Sequence, residues 1–209
     1  MSTNAAASLA PFRKIPWVLF ILVALAGAST VFGSLAIWPD PVEGWLHAAR
    51  YTARLSFLVF LAPFLAASLA YWTPSPLTRW LRAKRRYLGL SFALAHFIHL
   101  GALVMYLDLS GEGRSLITLL GGGGAYVMIT LMALTSNDWS VRTLGPRVWG
   151  WLHWIGIYDI WFVFTFSYFG RVTKDVPQEP RIIYITLFGL ALAALALRIA
   201  TRMARRKRG

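Results

Sequence analysis

The 209-residue chain is 57% hydrophobic with a mean hydropathy of +0.57, which excludes an ordinary soluble domain, whose apolar fraction is nearer half. It contains no cysteine, which excludes disulfides, thiolate metal sites and iron–sulfur clusters. Its net charge of +13 is not a nucleic-acid footprint, because the basic residues recur in alternate connections between apolar stretches.

Residues 1–11 are small and polar and read as a flexible tail, followed by Arg13 and Lys14. The first apolar span lies near 15–38. Ala24-Leu25-Ala26 resembles a signal-cleavage site, but the apolar run continues to Pro39, so a retained helix is expected. The connection 38–50 carries Asp40, Glu43 and His47, and the second span lies near 51–72. His47, at the outer entrance of that span, reads as a solvated interfacial histidine, with a ligand role as the alternative. Pro74 and Pro76 mark the exit. Residues 77–87 then read as a basic interfacial helix, with Trp80 and Leu81 toward lipid and arginines toward phosphate.

The third span, near 87–107, carries His96 and His99. Histidine within a membrane helix is costly, so both are candidate functional residues. His99 lies about 20 Å beyond Arg86 and His96 about 15 Å, at 1.5 Å per residue. Ala95 and Ala102 flank His99 on its own face and leave room for a flat macrocycle; a hydrogen bond to a neighbouring helix is the plainer alternative. His96, one turn away, reads either as a second ligand or as a hydrogen-bonding neighbour.

The fourth span, near 116–136, contains Gly121 to Gly124, expected to be a close-contact or distorted stretch. The fifth, near 148–169, holds His153 about 8 Å beyond Val148, between Gly150 and Gly156. Bare surface on both sides suits a porphyrin; close helix packing is the alternative. Asp159 lies on a different face and reads as a proton relay or as the partner of an arginine such as Arg54. Pro177 and Pro180 precede the sixth span, near 182–200, and residues 202–209 form a basic tail.

Short connections predict an all-α membrane protein, a six-transmembrane-helix up-and-down bundle occupying 12–201. Arg79, Arg82, Lys84, Arg85 and Arg86, then Arg142 and Arg147, then Arg202, Arg205, Arg206, Lys207 and Arg208 all fall on one side. Asp40, Glu43, Asp108, Glu112, Asp175 and Glu179 fall on the other. This positive-inside pattern puts both termini in the cytoplasm. Tryptophans near the span ends, among them Trp17, Trp38, Trp72, Trp80, Trp149 and Trp151, read as interfacial belts. The chain carries no GxGxxG turn and so no recognisable flavin or nicotinamide module.

Three motifs occur in order: Asp40-Pro41-Val42 with His47, Arg85-Arg86-Tyr87-Leu88-Gly89-Leu90 with His99, and Thr135-Ser136 with Leu144-Gly145-Pro146-Arg147-Val148-Trp149 and His153. Together they resemble the ferric-reductase-like transmembrane family, and within it the haem-binding membrane subunits of periplasmic methionine sulfoxide reductase systems. The resemblance runs from about Trp38 to Phe169. It implies a six-helix protein of the bacterial inner membrane that binds b-type haem. Such a protein passes electrons from quinol or a reductase to a partner, either a periplasmic reductase or a larger membrane complex. It would be an electron-transfer subunit rather than a self-contained enzyme.

By this resemblance His99 and His153 are haem-ligand positions and His47 a recurrent histidine, while His96 has no counterpart. One haem is expected in preference to two, with quinone as a further ligand. The sequence departs from the family at Phe166, where a second histidine of the fifth span is expected. Rearranged ligation through His96 or His47 and loss of haem are therefore both open. In the second case the chain is a haem-free accessory subunit that binds and stabilises a larger membrane complex.

Overall fold

The structure, a computed structural model, describes residues 16–113, 116–174 and 179–207. The expected tail at 1–11 lies outside the described residues, as do Arg13, Lys14, Arg114, Asp175, Pro177 and Arg208. Seven helices account for nearly all that is described: α1 Pro16–Ile37, α2 Pro41–Trp72, α3 Pro76–Ala83, α4 Arg85–Ser110, α5 Leu116–Leu134, α6 Asp138–Thr173 and α7 Arg181–Arg206. Four of them, α1, α2, α4 and α7, are long and apolar enough to cross a bilayer. The apolar stretch Leu120–Leu134 in α5 is shorter, and in α6 His153, Asp159 and the tryptophans dilute an otherwise sufficient length. The described residues are thus all-helical in their regular structure, with several helices suited to lipid contact. On α1, Trp17, Ile21, Leu22, Leu25 and Phe32 are all exposed, as a lipid-facing surface requires.

Two compact units divide the chain, 1–113 and 114–209. In the first, α2 and α4 form the principal pair, α1 packs on both, and α3 lies against α2. In the second, α6 packs against α5 and α7.

Several boundaries differ from the sequence expectation, each for a local reason. α2 starts at Pro41 rather than near 51, because Asp40 caps it by accepting the Glu43 N–H at 2.9 Å and Pro41 occupies the first turn. The connection between α1 and α2 is therefore only 38–40, and α2 is about 48 Å long, well over a hydrocarbon core. α3 is shorter than expected. A capping box between Ser75 and Thr78 starts it, and it ends at Ala83 with Trp80 and Leu81 half-buried rather than fully lipid-facing. α4 ends on Gly111, whose φ of 64° is the left-handed conformation that closes a helix. The expected loop 137–147 is mostly helical: α6 begins after the Asn137 cap and is interrupted only at Gly145, with φ 75° and ψ 152°. The Gly121 to Gly124 run is neither distorted nor tightly packed, since a Cβ at any of the four meets nothing within 4 Å. The residues expected to form a basic tail continue α7 through Arg206.

The α2–α4 interface is layered. Ala48, Ala49 and Ala102 form one end, with Val31, Trp45 and Leu103 around them. Phe57, Phe60, Phe64 and Phe92 form the other, with the Phe60 ring 5.0 Å from Phe64 and 5.3 Å from Phe92. Small residues bring the helices close at one end and rings fill the space at the other, so dispersion and shape hold the pair where lipid removes the hydrophobic drive.

The tight α1–α2 connection depends on Gly44, where a Cβ would sit 2.9 Å from the Trp38 carbonyl oxygen. Gly44→Ala is expected to destabilise the detergent-purified chain by about 1–3 kcal/mol. Gly101→Ala, where a Cβ meets nothing within 4 Å, should be neutral or stabilising. Thermal melts of the two variants check this; equal melting temperatures would contradict the tight turn.

Candidate functional site

Between the alanine and phenylalanine layers of the first unit lies a polar layer. Thr52 and Ser56, one turn apart on α2, face His99 and His96 on α4. Thr52 Oγ1 lies 3.3 Å from His99 Nδ1, and Ser56 Oγ lies 3.0 Å from His96 Nδ1. The hydroxyls have one proton each, and those protons are committed. Thr52 donates to the Ala48 carbonyl at 2.6 Å and Ser56 to the Ala53 carbonyl at 2.9 Å. Each hydroxyl oxygen must then accept from the imidazole, which makes Nδ1 the protonated nitrogen and puts the lone pair on Nε2. A side chain that fixes one ring nitrogen as donor orients the other as a ligand atom.

The two imidazoles are not equivalent. His96 is 8% exposed, whereas His99 is half-buried. Their ring centroids are 5.3 Å apart on the same face of α4, so they cannot stand on opposite faces of one macrocycle. The expectation that Ala95 and Ala102 leave space beside His99 is not met on that side. Both are buried, and Ala102 packs on Ala48 and Ala49 of α2.

His47 is 3% exposed, which corrects its reading as a solvated interfacial residue. The early start of α2 folds Trp38 back onto it, with ring centroids 3.9 Å apart and planes inclined by 11°. Tyr51 closes the same group at 5.7 Å from His47, and Arg54, half-buried, lies over the Tyr51 ring at 5.2 Å. The group His47–Trp38–Tyr51 is therefore an aromatic stack at one end of the first unit.

In the second unit His153 is half-buried and its ring lies 4.1 Å from Trp149. Its Nε2 is 3.3 Å from Thr135 Oγ1, which donates to the Leu131 carbonyl at 2.6 Å, while Trp149 Nε1 donates to the Thr135 carbonyl at 2.8 Å. By the same proton count Nε2 is the donor here and the lone pair falls on Nδ1, the opposite of His99. Of the two glycines expected to bare its surface, Gly150 is open, but Gly156 is covered by Met128 and Met132 of α5. Asp159 is half-buried on α6, in the second unit, whereas its expected partner Arg54 belongs to the first. Phe166, where the further histidine of the family is expected, is 60% exposed.

The donor set fits a haem iron at His99, through Nε2, and fits less well at His153, whose outer nitrogen is engaged by Thr135. No group of three or more potential metal ligands occurs among the described residues. Thr52, Ser56 and Thr135 carry no sequence motif for ligation. For Thr52 and Ser56 the signal is two hydroxyls one turn apart on one helix face. No protein-family model, no curated protein and no solved structure matches the chain.

Removing the Ser56 hydroxyl strips His96 of its acceptor in a buried layer. Ser56→Ala is expected to cost about 0.6–2 kcal/mol, and His96→Leu in the same background to cost less than it does alone. A double-mutant cycle by chemical unfolding in detergent measures the coupling; additive effects would mean that the two side chains do not interact.

Proposed function

We propose that the chain is a b-type haem protein of the bacterial inner membrane that passes electrons from quinol or a reductase to a partner reductase. Its six spans leave both termini in the cytoplasm. The observation that carries the reading is the commitment of His99 Nδ1 to Thr52, which makes Nε2 the electron-pair donor of a half-buried imidazole. His99 would then hold the haem iron through Nε2. The resemblance implies a ligand role for His153 of the second unit as well, which its Nε2 could take only if Thr135 released it. Haem supplies reversible one-electron chemistry; the protein supplies the ligand nitrogen, its orientation and a low-dielectric surround. His96 serves as a hydrogen-bonded neighbour that holds α4 against α2. Support for the orientation comes from the basic residues at the start of α4, in α3 and at the end of α7, opposed by Asp40, Glu43, Asp108 and Glu112 at the other ends.

A second reading is favoured by the hydrogen bond from His153 Nε2 to Thr135 together with the exposed Phe166. In that reading the chain is a haem-free accessory subunit that keeps the helical scaffold and binds a larger membrane complex.

A reduced-minus-oxidised absorption spectrum of the detergent-purified chain separates the two. The first reading predicts Soret and α-band shifts, loss of more than half of the bound haem in His99→Ala, and a smaller loss in His96→Ala. Thr52→Val should weaken haem binding about tenfold while leaving the ligand in place. A folded chain with no Soret band would exclude electron transfer by haem and leave the accessory reading.

A further inference from the structure

The second unit carries a cationic face that the haem reading does not use. On α6, Arg147, Trp151, Trp154 and Tyr158 recur at the spacing of one helical stripe, about 130° around the helix from His153. His153 turns to α5, and Trp154 and Tyr158 of this stripe meet α7. Arg198 and Arg202, one turn apart on α7, both lie against it. The Arg198 guanidinium carbon is 5.0 Å from the centre of the Tyr158 ring, and its Nε donates to the Tyr158 hydroxyl at 3.2 Å. The Arg202 guanidinium carbon is 5.6 Å from the same ring and 5.8 Å from Trp154. Beside them Arg147, Gly150, Trp151 and Trp154 line a shallow cavity of about 280 Å³.

Two guanidiniums held one turn apart over a single ring repel each other, and the repulsion grows as the dielectric falls toward a membrane. Arg198 lies about 12 Å before the end of α7 at Arg206, so its charge belongs to the inner edge of the headgroup layer. The two guanidiniums together concentrate positive charge at this level, and such charge attracts an anion. The surrounding surface says which anion. Val148, Ile155, Ile199 and Met203 are all exposed near the same end of α6 and α7, and Trp151 and Trp154 have the amphipathic rings of an interfacial belt. A phosphate with acyl chains attached satisfies both the arginines and this apolar surround; a free phosphate satisfies only the first.

We propose that the α6–α7 face formed by Arg147, Arg198, Arg202, Trp154 and Tyr158 is a binding site for the headgroup of an anionic phospholipid. The phosphate sits between the Arg198 and Arg202 guanidiniums and an acyl chain lies along the exposed apolar residues. The site is independent of haem.

Native mass spectrometry of the full chain, released from detergent micelles doped with equal phosphatidylglycerol and phosphatidylcholine, tests it. The wild-type chain should retain phosphatidylglycerol in preference. The double variant Arg198→Gln with Arg202→Gln should lose about tenfold of that preference. Arg79→Gln with Arg82→Gln on α3, which removes the same charge elsewhere, should keep it. Arg202→Gln alone, at an exposed position, serves if the double variant does not fold, and should lose part of the preference. Equal retention of the two lipids by wild type would overturn the proposal, as would a preference unchanged in the α7 variants. Displacement of the bound lipid by inorganic phosphate at the same concentration would also overturn it, because the site would then be one for phosphate rather than for lipid.

Discussion

The first unit depends on one polar layer in an apolar interface, Thr52 with His99 and Ser56 with His96. A hydroxyl or imidazole in hydrocarbon must find a partner inside the protein, because neither lipid nor bulk water will serve. Each is met only when α2 and α4 run antiparallel with residues 52 and 56 opposite 99 and 96. A slip of one turn would leave one histidine facing Ala48 or Phe60 instead of a hydroxyl, so the layer specifies register, while the alanines and phenylalanines on either side supply the bulk of the packing. The short α1–α2 connection then fixes α1 against this pair, through Gly44 and the stack of Trp38 on His47.

The same layer decides the chemistry of the imidazoles. A hydroxyl whose proton is spent on its own helix can only accept, so it selects the tautomer of the histidine it meets. On α4 this leaves Nε2 as the electron-pair donor, the atom a metal ion would take from a side chain projecting off a helix. On α6 the equivalent bond runs from Nε2 of His153 to the Thr135 hydroxyl, which leaves the lone pair on the nitrogen nearer the backbone. Histidines that look alike as residues of apolar spans thus differ in what they can ligate. The proposed haem role rests more firmly on His99 than on His153 for that reason.

Composition and charge were enough to read the helical membrane character, because apolar runs long enough to span and basic ends are written directly into the sequence. The histidines were also visible, since any such side chain in an apolar run is conspicuous. Their surroundings were not. The burial of His47 follows from Asp40 capping α2 ten residues before the charge pattern suggests a start, and a cap is a single residue against a background of loop signals. Thr52 and Ser56 look like ordinary small polar residues until the helix facing them is known. Gly150 and Gly156 looked alike beside His153, yet methionines from α5 cover only the second. Arg198 falls inside the sixth span, where nothing in the local pattern shows that it meets Tyr158 of α6. In each case the missing information is which element packs opposite, a property of tertiary contacts rather than of local pattern.

The claim that α2 hydroxyls set the α4 imidazoles as Nε2 donors is tested most directly by nitrogen-15 magnetic resonance of histidine-labelled, haem-free chain in lipid bilayers. The account predicts neutral His99 and His96 with the proton on Nδ1, and a change confined to His99 in the Thr52→Val variant. A His99 carrying its proton on Nε2 in the wild-type chain would contradict it.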